Sequence, residues 1–252
     1  MGILYNPRLM DINNAVVLIT GAAQRVGRAV ALELARRGAR IAFSYYAEDE
    51  PWRDTLRDLQ SLGAAAIAQR ADVTRPPDAR ALVEAALAAF GRVDVLINNA
   101  SIWLKKPALD ISESEWDAEM DVNAKGPFLM AQAVAPHMLT QGSGLILNIT
   151  DLSAFQTWAG YAHHSASKAA LVALTKVLAL EWAPAVRVNA IAPGTVLLPD
   201  DATEAKRQWA IEKSVLKRVG SPLDVARTAL YLIEEDFATG GVYFVDGGRS
   251  LV

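Results

Sequence analysis

The sequence predicts a single α/β domain, residues 1–252, built on a doubly wound parallel sheet. Short β-rich runs alternate with Ala-, Leu- and Arg-rich segments of helical length along the whole chain. The first run, Ala15-Val-Val-Leu-Ile19, is continuously apolar, as a parallel strand covered on both faces requires. A glycine-bearing turn follows it directly and opens a helix. A (β/α)8 barrel shares the alternation, but the position of the glycine turn after the first strand argues against it.

The elements follow in order. Strand 15–19 ends at Thr20-Gly21, and helix 26–37 is stopped by Gly38. Strand 40–45 leads to helix 52–62, closed by Gly63. Strand 64–69, helix 77–90 and strand 93–97 complete the first half. The second half reads as helix 112–140, strand 144–149, helix 163–182, strand 186–191, helix 223–234 and strand 242–245. Strands joined through helices imply right-handed crossovers and parallel pairing.

Composition narrows the function. The chain has 252 residues, 52% hydrophobic and 21% charged, so it can bury a core and is not a disordered polymer. A net charge of −3 argues against a nucleic-acid backbone binder. With no Cys, thiolate zinc sites, disulfides and cysteine nucleophiles are excluded, which fits a reducing cytoplasm. With only three His the chain argues against a histidine metal site, and no metal is expected. Residues 1–10 show no secretory h-region, Asn6 stands where myristoylation wants Ser or Thr, and no apolar stretch spans a bilayer. The expectation is a cytoplasmic protein acting on a small molecule, with neither nucleic acid nor membrane as partner.

The turn Thr20-Gly-Ala-Ala-Gln-Arg-Val-Gly27 lets a backbone approach a pyrophosphate at a helix N-terminus. Further pieces accompany it: Ala71-Asp72-Val73, Asn98-Asn99-Ala100, Asp121-Val-Asn123-Ala, Ser165-Ala-Ser-Lys168, Arg187-Val-Asn-Ala-Ile-Ala-Pro-Gly194 and Phe244-Val-Asp-Gly-Gly248. Taken together, the chain from Val16 to Gly248 resembles the short-chain dehydrogenase/reductases. The resemblance implies a Rossmann-like sheet of seven parallel strands, a nicotinamide dinucleotide and a homotetramer. It implies cofactor contacts at Gly21, Arg25, Val26, Gly27, Tyr45, Asp72, Val73, Asn99, Ala100, Lys168, Pro193 and Gly194. Asp72 would face the adenine, Asn99 the middle of the cofactor, and Pro193-Gly194 the nicotinamide end.

Three departures from the family pattern resemble its pteridine reductase and dihydromonapterin reductase branch. Arg25 stands where a third glycine is usual, Asp151 replaces the customary serine, and Ser101 follows Asn-Asn-Ala where glycine is usual. Trp103 also sits where that branch stacks an aromatic ring on the pterin. Arg25, Ser101, Trp103, Asp151 and Tyr161 are therefore the candidate substrate contacts: a flat apolar face, hydrogen-bonding groups and a cationic fork. Each also has a plain structural reading: a solvated arginine at 25, a core aromatic at 103, a helix cap at 151.

The family's proton donor is a tyrosine four residues before the lysine; here that position is His164. Positions 164 and 168 share a helix face. Imidazole is a competent general acid, though shorter than tyrosine and disfavoured in its charged form by a nearby ammonium. Three assignments of the proton donor stand. His164 donates, with Lys168 tuning the site and holding the nicotinamide ribose; Asp151 relays the proton; or Tyr161, seven residues before the lysine, reaches in; Asn123 is counted with them among the catalytic residues. His163 is expected at the surface or in a supporting role.

No acid ends the second strand, where Tyr45 stands, so NADP(H) is favoured over NAD(H); Glu48 and Asp49 count the other way. The leading expectation is an NADPH-dependent reductase of a pterin or related cyclic C=N compound. The alternatives are a ketone/alcohol oxidoreductase of 3-oxoacyl or sugar type, and an NAD(P)-binding regulator without turnover. Residues 197–209, within 195–215, are expected to form a substrate lid.

Overall fold

The computed structural model describes residues 10–199 and 201–252. The N-terminal stretch read for targeting signals lies outside the described residues apart from Met10. Seven parallel strands form one sheet in the order β3-β2-β1-β4-β5-β6-β7. They are β1 Val16–Ile19, β2 Arg40–Tyr45, β3 Ala66–Arg70, β4 Val95–Asn98, β5 Gly144–Ile149, β6 Val186–Pro193 and β7 Val242–Val245. The helices are α1 Arg25–Arg36, α2 Trp52–Ser61, α3 Pro76–Phe90, α4 Glu113–Met120, α5 Gly126–Gln141, α6 Ala162–Trp182, α7 Glu204–Lys213 and α8 Pro222–Glu234.

Alternate side chains of each strand face opposite ways, so the apolar runs feed two cores. Val17, Ile19, Ile41 and Phe43 pack with α1 and α8 residues such as Leu34 and Val225. Val16, Leu18 and Leu96 pack on the other face with Leu82, Val134 and Met138 from α3 and α5. β1 pairs with β2 on one side and β4 on the other, so the chain reverses its direction of travel there. In open α/β sheets this switch point opens a crevice at the carboxyl ends of the strands.

The structure alters several expected boundaries. Strand 64–69 falls at Ala66–Arg70, strand 93–97 at Val95–Asn98, and strand 186–191 extends to Pro193. The single helix expected over 112–140 is two helices joined by a π turn at Asp121–Lys125. A π turn inserts one extra residue and rotates the register, while the hydrophobic periodicity runs through it almost unchanged. Of the expected lid, residues 204–213 form α7, whose N-terminus is capped by Thr203; residue 200 lies outside the described residues. Among the described residues no helix is long and apolar enough to cross a membrane.

Candidate active site

A cavity of about 760 Å³ opens at the switch point. The turn between β1 and α1 builds part of its wall. Gly21 adopts φ +62, a conformation that glycine takes without a Cβ penalty. A Cβ on Gly27 would lie 2.5 Å from Asn99 Nδ2 and 2.7 Å from the Gly21 carbonyl. Asn99 Nδ2 donates to the carbonyls of Thr20 and Gly21, each at 2.9 Å, so Asn99 holds the turn itself. Gln24, the N-cap of α1, offers no side-chain hydrogen bond, which leaves the first-turn N–H groups at the cavity wall.

Arg25 lines this wall at φ +56, in left-handed backbone. A non-glycine residue is strained there. Asp72 and Val73 line the far end, with Asp72 Oδ1 accepting from the Thr74 amide and hydroxyl. Tyr45 stacks on Trp52 with ring centroids 4.6 Å apart and donates its hydroxyl to Glu48 at 3.1 Å. Burial first, and then the Glu48 contact, push the Tyr45 phenol up. Ala100 and Pro193 line the cavity, whereas Gly194 is not part of its wall. A Cβ on Gly194 would come 2.8 Å from Asp246 Cα, so that glycine serves the packing of β6 beside Asp246.

The opposite end holds the titratable groups. His164, in the first turn of α6, is buried between two carboxylates. Its Nδ1 lies 3.0 Å from Glu119 Oε2 and its Nε2 lies 2.8 Å from Asp151 Oδ2. Ionised carboxylates only accept, so two such bonds call for a proton on each ring nitrogen. Burial pushes the His164 pKa down, but the hydrogen bonds to Asp151 and Glu119 outweigh it and the net shift is upward. Burial works to raise Asp151, yet the bond from His164 and the nearby Lys168 hold its carboxyl below the usual range. Asp151 also caps a short 3-10 turn by accepting from the Ser153 amide at 2.6 Å, so the cap reading and the site reading are both realised.

Lys168 is buried, lines the cavity and donates to the Ile149 carbonyl at 3.0 Å. Burial pushes its ammonium down, opposed by the charges of Asp151 and Glu119. Asn123 is carried by the π turn. Its Oδ1 accepts from Ser101 Oγ at 2.9 Å and from the Ile102 amide at 3.0 Å, and its Nδ2 lies 3.4 Å from His164 Nδ1. Trp103 is 63% exposed, not a core aromatic, and stacks over the His164 ring at 5.9 Å between centroids. Ser101 and Trp103 line the cavity. Tyr161 is not among the lining residues; it flanks Trp103 at 5.6 Å between ring centroids.

Two residues escape the sequence reading. His163 is fully buried, not at the surface, and neither ring nitrogen has a hydrogen-bond partner among the described residues. Glu119, one of the two carboxylates on His164, was not foreseen as a site residue. Its spacing of four residues before Asn123 on a helical stretch was the available signal.

The family model described as "Enoyl-(Acyl carrier protein) reductase" matches residues 21–250. The chain belongs to the short-chain dehydrogenase/reductase family. It is 36% identical over 247 residues to the (2S)-[(R)-hydroxy(phenyl)methyl]succinyl-CoA dehydrogenase subunit BbsD of Thauera aromatica, covering 96% of this chain and 99% of that protein. It is 35% identical over 249 residues to 3beta-hydroxysteroid dehydrogenase 1 of Eggerthella lenta, covering 96% and 95%. Among solved structures, a short-chain type dehydrogenase/reductase from Mycobacterium marinum superposes with a TM-score of 0.87 at 32% identity, covering 96% of this chain and 97% of that one.

Short-chain dehydrogenase/reductases are oxidoreductases that use a nicotinamide dinucleotide, and the residues present here fit such a group. Gly21 and Gly27 line the cavity and let the β1–α1 turn pack closely against Ala100 and Asn99, and uncapped N–H groups of α1 border the same wall. A pyrophosphate is the anion such a helix N-terminus suits. The cavity then runs unbroken from Asp72 at one end to Lys168 and His164 at the other.

Proposed function

We propose that this chain interconverts a ketone and an alcohol on a small cyclic substrate, using NADP(H) in preference to NAD(H). The observation that carries the reading is His164, clamped between Asp151 and Glu119 beside Lys168 at the cavity floor. The cofactor, when bound, supplies or accepts the hydride. Everything else rests on the chain's own groups. Gly21, Arg25, Val26, Gly27 and Tyr45 would hold the dinucleotide at its phosphate and adenosine end, Asp72 and Val73 the adenine, and Ala100, Pro193 and Lys168 the nicotinamide half.

In the reductive direction the carbonyl oxygen gains a proton. The His164 Nε2–H bond breaks, and the proton passes to the substrate oxygen directly or across Asp151. The ring is left neutral, with its remaining proton on Nδ1 facing Glu119. Oxidation runs the same path backwards. Trp103 offers an exposed flat face above His164, which suits a ring-bearing substrate. The named relatives, dehydrogenases of hydroxylated compounds, support alcohol and ketone chemistry more than pterin reduction.

A second reading, reduction of a C=N bond in a pterin-like heterocycle, keeps one observation in its favour. Arg25, Ser101, Trp103 and Asp151 all border the same cavity. For the cofactor, Glu48 is engaged by the Tyr45 hydroxyl and by Arg53 at 3.6 Å, which blunts its repulsion of a 2′-phosphate. Exposed Phe128 on α5 and Val177 and Leu180 on α6 support burial in a homotetramer.

The test is a panel of cyclic ketones, 3-oxoacyl thioesters, secondary alcohols and dihydropterins, followed by reduced-nicotinamide absorbance with each cofactor. Turnover of ketones or alcohols supports the first reading. Turnover of dihydropterins alone replaces it with the second, and tight cofactor binding without turnover replaces both with a regulator.

A further inference from the structure

Glu119 stands out from the acidic residues around it. Helix α4 carries Glu113, Glu115 and Asp117 as well, and of these only Glu119 is fully buried. A buried carboxylate is retained at a large desolvation cost unless donors surround it. Glu119 has three. Its Oε1 accepts from the Leu104 amide at 2.7 Å, and its Oε2 faces His164 Nδ1 at 3.0 Å and accepts from Asn123 Nδ2. Leu104 directly follows Trp103, so one carboxylate holds both the backbone next to the aromatic wall and the histidine that Trp103 stacks on.

We propose that Glu119 is the positioning residue of this site: its carboxylate holds the Nδ1 proton of His164, which turns the Nε2 proton toward Asp151 and the cavity. The inference rests on the reading of His164 as proton donor. An imidazole with an acceptor on one side only can present either nitrogen to the cavity, and it sheds its charge readily once buried. With Glu119 on Nδ1, the tautomer that remains after proton transfer is fixed, and Nε2 is the nitrogen that must be reprotonated. The charged groups bearing on the ring are Glu119 from α4, Asp151 from the end of β5 and Lys168 from the next turn of α6, with Arg249 acting on Asp151. The two carboxylates favour the imidazolium, and Lys168 opposes it.

The test is Glu119→Gln, which keeps the size and the acceptor for Leu104. Its amide donates to Nδ1, so the proton of a neutral ring moves to Nε2. Turnover is expected to fall about 10- to 100-fold, a part of what general acid catalysis supplies, with substrate KM and cofactor Kd changed less than about twofold. The alkaline limb of the kcat–pH profile moves to lower pH. A purely structural role for Glu119 would lower stability without moving that limb.

Should the variant fail to fold, nitrogen NMR of the native protein decides the matter, since only three histidines contribute. The expected result is a His164 ring protonated on both nitrogens at neutral pH and on Nδ1 after it titrates. A neutral ring protonated on Nε2 overturns the proposal, as does Glu119→Gln with unchanged turnover and pH profile. His164→Ala separates the two levels. Loss of turnover there with none in Glu119→Gln refutes only the role of Glu119, whereas full turnover in His164→Ala removes the donor reading beneath it.

Discussion

Replacing Arg25 by glycine should make the protein more stable and its cofactor binding weaker. Arg25 adopts φ +56 at the start of α1. A left-handed residue with a Cβ costs roughly 1–2 kcal/mol, and glycine removes that penalty while losing roughly 0.5–1 kcal/mol to unfolded-chain entropy. Among the described residues the Arg25 guanidinium makes no hydrogen bond or ion pair, so its removal breaks none within the chain. The net expectation is about 0.5–1 kcal/mol of added stability, a Tm rise of about 1–4 °C for a chain of this size. Strain of this kind persists where something functional requires it. A guanidinium on an anionic or polar ligand contributes about 1.5–3 kcal/mol, so dinucleotide Kd should rise by roughly 10- to 100-fold. Calorimetric unfolding without ligand and titration calorimetry with NADPH read the two effects separately. A variant that is less stable, or that binds the dinucleotide as tightly as before, refutes the reasoning.

Two further expectations follow from the same geometry. Gly27→Ala would drive a Cβ to 2.5 Å from Asn99 Nδ2 and 2.7 Å from a backbone carbonyl, so unfolding should show a loss of about 1–3 kcal/mol together with weaker cofactor binding. The folded pKa of His164 is raised, so its contribution to stability is full below its unfolded value of about 6.5 and is lost as pH rises through the folded value. The folded pKa of Asp151 is depressed, so its contribution is lost only as pH falls through that lower value. Urea unfolding across pH should therefore show stability declining on the alkaline side, and His164→Ala should flatten that decline.

Much of this was legible in the sequence because it depends on local chemistry. Continuous apolar runs such as Val16–Ile19 have one stable fate, a doubly covered strand, and Gly21 marks the turn that must follow. The pairing of His164 with Lys168 follows from helical spacing alone. The π turn at Asp121–Lys125 was not legible, since one inserted residue leaves the helical pattern nearly intact while it reorients Asn123. Nor was the burial of Glu119. Its neighbours Glu113, Glu115 and Asp117 read as a solvated face, and only tertiary packing of α4 against α6 turns one of the four inward. Helix α7, inside the segment expected as a lid, was not legible as a helix because its charged composition lacks an apolar stripe.

The central claim is that an imidazolium at position 164 supplies the proton to the substrate oxygen. His164→Ala, measured under saturating cofactor on the best substrate of the panel, tests it most directly. The account predicts turnover reduced by about 10² to 10⁴, with cofactor affinity retained. Turnover equal to that of the native enzyme would contradict it and move the proton to Asp151.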